Sequence, residues 1–210
     1  MSQRFFITGT DTNVGKTVLS ALLCAALNAR YWKPIQTGAR EGTDRRQVME
    51  WAGLKDGDAL PEVYLFDDPV SPHLAALRAG KEISLARITL PDIPSSAPLI
   101  VEGAGGILAP INISEFMTGL MQRLALPVVL AARSTLGTIN HTLLSLQGLR
   151  AAGLTVHGVV IIGPRDVDNE LAIEQYGRTR VIGRIPPLSR IDRDTLREVF
   201  TDSFSREAFT

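Results

Sequence analysis

The sequence predicts an α/β fold: one domain over residues 1–210, built as a mostly parallel sheet with helices on both faces. Three observations carry that expectation. Short continuous apolar runs, the form of strands buried on both faces, alternate with segments of helical spacing. A glycine-containing loop ending in Lys-Thr directly follows the first of those runs. Polar or glycine-rich stretches close the later runs, which gathers the unusual residues at the carboxyl ends of the strands, where such sheets bind ligands.

Phe5-Phe6-Ile7 is the first strand. The loop Gly9 to Thr17 (GTDTNVGKT) leads into a helix beginning near Lys16, whose body from Val18 to Ala29 is rich in Ala and Leu and apolar on most faces. Tyr31 to Ile35 is strand-like and ends at the polar turn Gln36-Thr37-Gly38. Residues Glu41 to Gly57 are charged and partly helical in pattern; Pro69 to His73 breaks the chain before a helical stretch from Leu74 to Ala79. Leu99 to Glu102 is a buried strand expected to stop at an acid and a glycine loop, Gly103 to Gly106. Leu126 to Ala131 repeats the form, Thr138 to Ala152 has helical spacing, and Thr155 to Ile162 is a third apolar strand. A helix over Asp168 to Tyr176 and a short strand at Val181-Ile182 follow. No internal repeat or low-complexity linker interrupts the series.

At 210 residues, with 45% hydrophobic and 21% charged residues, the chain has the size and balance of one globular domain. Lys plus Arg and Asp plus Glu are equal at 22 each, so no global field draws nucleic acid or an acidic membrane. Neither is expected as a partner. No apolar run reaches membrane-spanning length, and the start enters a strand without an apolar leader, so a cytoplasmic location is the expectation. Cys24 alone excludes an internal disulfide and reads as a small buried helix residue.

The loop is where chemistry is most legible. A strand, a glycine loop, Lys-Thr and an apolar helix in that order form a phosphate-binding loop, so the domain is P-loop NTPase-like and a nucleoside triphosphate is its first ligand. Asn13, Val14 and Gly15 bring backbone to the phosphates, Lys16 offers a charge to the β/γ oxygens, Thr17 presents a hydroxyl to Mg²⁺, and Val18 continues the helix. The loop is a variant: the usual first glycine position is occupied by Thr10, with Gly9 one step earlier. Glu102 ends a buried strand, where a carboxylate needs a cation or donors. It fits the metal-holding acid of such sheets, usually an Asp, or else a solvated loop acid. Asp44 lies in a charged run that reads equally as a solvated face. Lys33 sits between Trp32 and Pro34, rigid flanks that suit an aimed side chain, yet on local sequence alone an ordinary exposed lysine is the simpler reading. Thr37 reads as a turn residue. His73 and His141 have no second ligand at metal-binding spacing.

Six blocks in order, GTDTNVGKT, YWKPIQTG (Tyr31 to Gly38), SPHLAA (Ser71 to Ala76), VEGAGG (Val101 to Gly106), LGTINHTLLS (Leu136 to Ser145) and GRIPPL (Gly183 to Leu188), resemble the dethiobiotin synthetase family over nearly the whole chain. The variant loop is that family's own form. The resemblance implies Mg²⁺- and ATP-dependent carboxylation of 7,8-diaminononanoate by CO₂, with ureido ring closure through a carbamate and a carbamic-phosphoric anhydride. It implies Lys33 and Lys16 as the catalytic lysines, and Thr17, Asp44 and Glu102 as the Mg²⁺ ligands. Gly103, Ala104 and Gly105 are expected to continue the active-site loop, and Pro186, Pro187 and Leu188 to lie near the base. Thr37, Leu136, Gly137 and Asn140 are implied to bind substrate, the last three across a homodimer interface.

Two positions depart from the family pattern. Asn13 stands where an acid is frequent, so its side chain offers a neutral contact. Ile162 and Gly163 stand where the family commonly presents an Asn-Asp pair to the base, so weaker base selectivity is expected. Two other readings share the loop and the sheet. Cobyrinic and cobyric acid synthases carry an additional glutaminase domain, for which this chain has no length. A ParA- or MinD-like nucleotide-switched ATPase has an extra lysine early in its loop, where Thr10, Asp11 and Thr12 stand here, and the segment Asp192 to Phe200 is too charged for a membrane-targeting helix.

Overall fold

The first apolar run forms a strand, β1 (Arg4–Gly9), whose alternate side chains enter two different cores. Phe6 faces one cluster, and Phe5 and Ile7 face the other. A strand that must bury both faces belongs in the middle of a sheet covered by helices on both sides, and β1 lies there. The computed structural model describes residues 3–209.

The helix α1 (Lys16–Leu27) follows the loop, then β2 (Arg30–Trp32), β3 (Ile35–Gln36), α2 (Asp44–Ala52), β4 (Ala59–Leu60), β5 (Tyr64–Leu65) and α3 (Pro72–Arg78). The second half runs β6 (Leu99–Gly106), α4 (Met117–Leu124), β7 (Val128–Arg133), α5 (Thr138–Ala151), β8 (Val156–Ile162), α6 (Val167–Gly177), β9 (Val181–Ile185) and α7 (Arg193–Ser203). Seven strands form one sheet in the order β4-β2-β6-β1-β7-β8-β9, and all its pairings are parallel. β3 and β5 pair separately. Side chains of α1, α2 and α7 (Leu22, Val48, Leu196) fill one core, and those of α3 to α6 (Ala75, Leu120, Leu146, Ile173) fill the other. The expected α/β class, with helices on both faces, is what the chain adopts.

The helices start and stop for local reasons. Thr43 accepts from the Arg46 N–H to open α2, and Asp166 and Asp192 cap α6 and α7 in the same way. Asn28 in the left-handed region ends α1. Cys24 is buried in α1, as its neighbours predict.

One expected boundary is wrong. The strand over Leu99 to Glu102 does not give way to a glycine loop; β6 continues through Gly106. Ile7 pairs with Glu102 and Gly9 with Gly106, so β6 spends two more residues than β1 between those pairs. Gly103, Ala104 and Gly105 therefore form a bulge within a strand, and Gly105 takes a φ of 67° that favours glycine. The expected strand over Tyr31 to Ile35 also divides, because Lys33 and Pro34 separate β2 from β3 and the chain leaves the main sheet there.

Candidate active site

A cleft of about 1370 Å³ lies at the carboxyl ends of β1, β2 and β6. It is lined by Asn13, Gly15, Lys16, Thr17 and Val18 from the loop and α1, by Lys33 and Thr37 around β3, and by Asp44, Glu102, Ala104 and Gly105. The loop takes left-handed backbone at Asn13 (φ 58°) and Gly15 (φ 95°), a form in which successive N–H groups make a concave seat for anions. The displaced glycine has a structural reason. A Cβ on Gly9 would stand 2.6 Å from Val14 Cγ2 and 2.9 Å from the Asp11 carbonyl oxygen, because the loop folds back over the end of β1. Close approach is needed at position 9, and Thr10 keeps ordinary backbone.

Lys16 is buried and donates from Nζ to the Asp11 carbonyl at 2.9 Å. Burial pushes its pKa down to about 8; the Glu102 carboxylate opposes the shift and the Lys33 ammonium adds to it.

Beyond Lys16 the charges pair closely. Lys33 Nζ donates to Asp44 Oδ2 at 2.5 Å and to Glu102 Oε1 at 3.0 Å. Thr17 Oγ1 lies 2.7 Å from Asp44 Oδ1 and 3.1 Å from Glu102 Oε1. The side chain of Glu102 is fully buried, and that of Lys33 is 8% exposed. Burial disfavours the Lys33 ammonium, yet Glu102 and Asp44 outweigh burial and its pKa is raised. Burial acts against Asp44 also, but Lys33, Thr17 and Gln36 hold its carboxyl below the usual value. Asp44 opens α2, where the helix dipole favours a negative charge. Glu102 is thus no solvated loop acid, and Lys33 is no exposed lysine.

Oxygens of Thr17, Asp44 and Glu102 converge as a hard, all-oxygen donor set, which suits Mg²⁺. Among the described residues, no group of three or more His, Cys, Asp or Glu side chains is placed to hold a metal. An ion held here would rest on two carboxylates and one hydroxyl, with its other positions left to phosphate oxygens and water.

Several expected site residues do not line this cleft. Val14 is buried in the core against α1 and does not line the cleft. Gly103 faces the opposite core, where a Cβ would meet Phe6 at 2.9 Å and Met117 sulfur at 3.3 Å. Leu136, Gly137 and Asn140 are exposed at the start of α5, and Pro186, Pro187 and Leu188 follow β9; none of the six lines the cleft. Leu136 is fully exposed.

Comparison with known proteins bears on this arrangement. The family described as an AAA domain matches residues 3–195. A Novosphingobium aromaticivorans protein named ATP-dependent dethiobiotin synthetase BioD is 46% identical over 205 residues, covering 98% of each chain. A Nitrobacter hamburgensis protein of the same name is 46% identical over 209 residues, covering 100% of this chain and 98% of its own. The chain belongs to the dethiobiotin synthetase family. Among solved structures, a ParA family ATPase from Chlorobium tepidum TLS superposes with a TM-score of 0.54 at 10% identity, over 95% of this chain and 88% of that one. That likeness is one of fold alone.

Within the dethiobiotin synthetase pattern, the departures at Ile162 and Gly163 have a packing logic. A Cβ on Gly15 would stand 2.8 Å from Ile162 Cδ1, so this apolar side chain lies against the phosphate loop. Gly163 has a φ of 130°, and a Cβ there would stand 2.4 Å from Ser134 Oγ. No side chain fits at position 163 without movement of Ser134.

Two residues of this cluster escape the sequence reading. Gln36 Oε1 accepts the Asp44 backbone N–H at 3.1 Å, which ties the start of α2 to β3. Tyr31 donates its hydroxyl to Glu102 Oε2 at 3.0 Å from full burial, and burial, reinforced by Glu102, pushes its pKa well up. The available signal is spacing: Tyr31 and Lys33 are two apart on extended chain, and such residues share a side.

Proposed function

We propose that this chain is an ATP-dependent dethiobiotin synthetase, which carboxylates 7,8-diaminononanoate with CO₂ and closes the ureido ring. The observation that carries the reading is the placement of Lys33. Its ammonium is held by two carboxylates beside the Thr17 hydroxyl, in a cleft running from the phosphate loop to Thr37.

The reaction brings two anions together. One amine of the substrate captures CO₂ as a carbamate, ATP transfers its γ-phosphoryl group to a carbamate oxygen, and the second amine attacks the mixed anhydride and expels phosphate. Carbamate and triphosphate repel each other, so the site must supply positive charge where they meet. The loop seats the phosphates on backbone N–H groups with Lys16 over them. Lys33 neutralises the carbamate and the charge that develops during transfer. Thr37 contacts the substrate nearby. Mg²⁺, held by Thr17, Asp44 and Glu102, would add charge neutralisation at the phosphate oxygens. Alignment of bound reactants then does much of the remaining work.

Leu136, Gly137 and Asn140 lie away from the cleft of their own chain. That fits a homodimer in which this helix start reaches the substrate carboxylate at the partner's site, a position where backbone N–H groups favour an anion.

The test is a carboxylation assay with diaminononanoate, labelled bicarbonate, Mg²⁺ and ATP or CTP, following acid-stable label in the product. Turnover is expected, and its absence with every nucleotide sinks the proposal. Lys33→Ala is expected to lower kcat by about 10²–10³-fold, the scale of losing one charge-stabilising group, with nucleotide binding kept. Full activity in that variant would remove Lys33 from the chemistry.

A further inference from the structure

Glu102 uses its two oxygens differently. Oε1 points to the working cluster, 3.0 Å from Lys33 Nζ and 3.1 Å from Thr17 Oγ1. Oε2 points the other way and takes one hydrogen bond, from the Tyr31 hydroxyl at 3.0 Å. Tyr31 is 0% exposed. It lies on β2, in register with Ile100 of β6 and so beside the strand that carries Glu102. The last torsion of a glutamate is broad and roughly two-fold, so covalent geometry leaves the carboxylate plane nearly free. Lys33 and Thr17 both act on the one oxygen and constrain that plane weakly. The phenol, locked in the core, constrains it through the other oxygen.

We propose that Tyr31 is a positioning residue for the metal-nucleotide site: its hydroxyl fixes the Glu102 carboxylate so that one oxygen stays in the core and the other is offered to the cation. The inference rests on the metal assignment made under Proposed function. Tyr31 touches neither substrate nor phosphate. Without its donor, a fully buried carboxylate oxygen has no partner, which is costly. The carboxylate then turns toward its remaining donors, Lys33 and Thr17, and presents a poorer ligand. Groups that orient a metal-holding side chain typically cost 10–100-fold in metal affinity when removed, whereas a residue that only fills the core leaves that affinity alone.

The test uses Mn²⁺ as the probe, titrated into the full chain with a non-hydrolysable ATP analogue and read by electron paramagnetic resonance. Tyr31→Phe keeps the ring and removes the hydroxyl. The expected result is a loss of Mn²⁺ affinity of about 10-fold or more, with binding of the analogue in chelator unchanged within about 2-fold. In turnover, the Mg²⁺ concentration for half-maximal rate rises by the same factor and saturating Mg²⁺ restores kcat. Ile100→Val, which loosens the facing position without touching Glu102, is expected to leave Mn²⁺ affinity alone. In a Glu102→Gln background, Tyr31→Phe is expected to add no further loss. Unchanged Mn²⁺ affinity in Tyr31→Phe overturns the positioning role, as does an equal loss in Ile100→Val or an equal loss of chelated-analogue binding. Should Tyr31→Phe not fold, the tyrosine Raman doublet of the wild-type chain, which reports hydroxyl hydrogen bonding, is compared with that of Glu102→Gln. A change toward a weaker donor supports the pairing and identical spectra overturn it. Wild-type chain that binds no Mn²⁺ with the analogue would instead remove the metal assignment, and this inference with it.

Discussion

Of the two lysines in the cleft, Lys16 is the one whose charge changes close to neutral pH. Burial lowers its pKa from 10.5 to about 8. Bound phosphates stabilise the ammonium, so binding requires the protonated form and raises its pKa again. The sign follows: below about pH 8 the lysine is already charged and affinity is flat, and above it each binding event must first take up a proton. The apparent Kd then grows tenfold per pH unit. Between pH 7.5 and 9.5 the factor (1 + 10^(pH − 8)) rises about 25-fold, equivalent to about 2 kcal/mol. The assay is calorimetric titration of ATP into the chain in chelator, begun at pH 7.5, where the terminal phosphate is already ionised. Proton uptake on binding, read from buffers of different ionisation enthalpy, is expected to rise from about 0.2 toward 1 over the same range. Lys16→Met is expected to bind weakly with no slope. An affinity for the wild-type chain that stays flat to pH 9.5 would refute both the depressed pKa and the placement of Lys16 on the phosphates.

Three further outcomes follow from the fold and the site. With Ile162 against the loop and no side chain at Gly163, turnover with ATP, CTP and GTP is expected to agree within about tenfold, and a strict ATP preference counts against it. If Asn140 serves the partner's site, Lys33→Ala and Asn140→Ala chains, each nearly inactive alone, are expected to regain up to about a quarter of wild-type activity when mixed and re-dimerised, since half of the dimers are mixed and each mixed dimer has one intact site. No recovery would place Asn140 with its own chain. A Cβ on Gly183 would stand 2.3 Å from Phe204, whose ring stacks on Phe200 and contacts Phe209. Gly183→Ala is therefore expected to lower stability by about 1–3 kcal/mol in urea unfolding, and an unshifted midpoint would mean that Phe204 does not dock there.

The long strands are legible because burial on both faces leaves a continuous apolar run, and β6, β7 and β8 carry one each. β4 and β5 are two residues long, too short for any period to register, and they exist because β2 and β3 offer them edges. The glycines after Glu102 read as a loop since glycine has poor strand propensity; β1 overrides that propensity by pairing again at Gly106. Lys33 reads as an exposed lysine on its own neighbours because its burial depends on residues far along the chain, Glu102 and Asp44, which supply the charges that make burial tolerable. The family resemblance supplies that link where local sequence does not. Tyr31 is hidden for the reverse reason: a tyrosine in a buried strand needs no explanation until the carboxylate facing it is located.

The glutamate at position 102, where sheets of this kind usually carry aspartate, also follows from these distances. Its Cα is paired with Ile7, two residues short of Gly9, so the side chain starts below the level at which the loop turns over the sheet. From there it must reach Lys33 and Thr17 with one oxygen while leaving the other to Tyr31. Aspartate is one methylene shorter, about 1.5 Å, and a 3.0 Å contact lengthened by that amount is no hydrogen bond. It could move toward the cluster only by abandoning the tyrosine. The longer acid and the buried phenol therefore belong to one arrangement. The carboxylate is fully buried, with one oxygen on Lys33 and Thr17 and the other on the phenol.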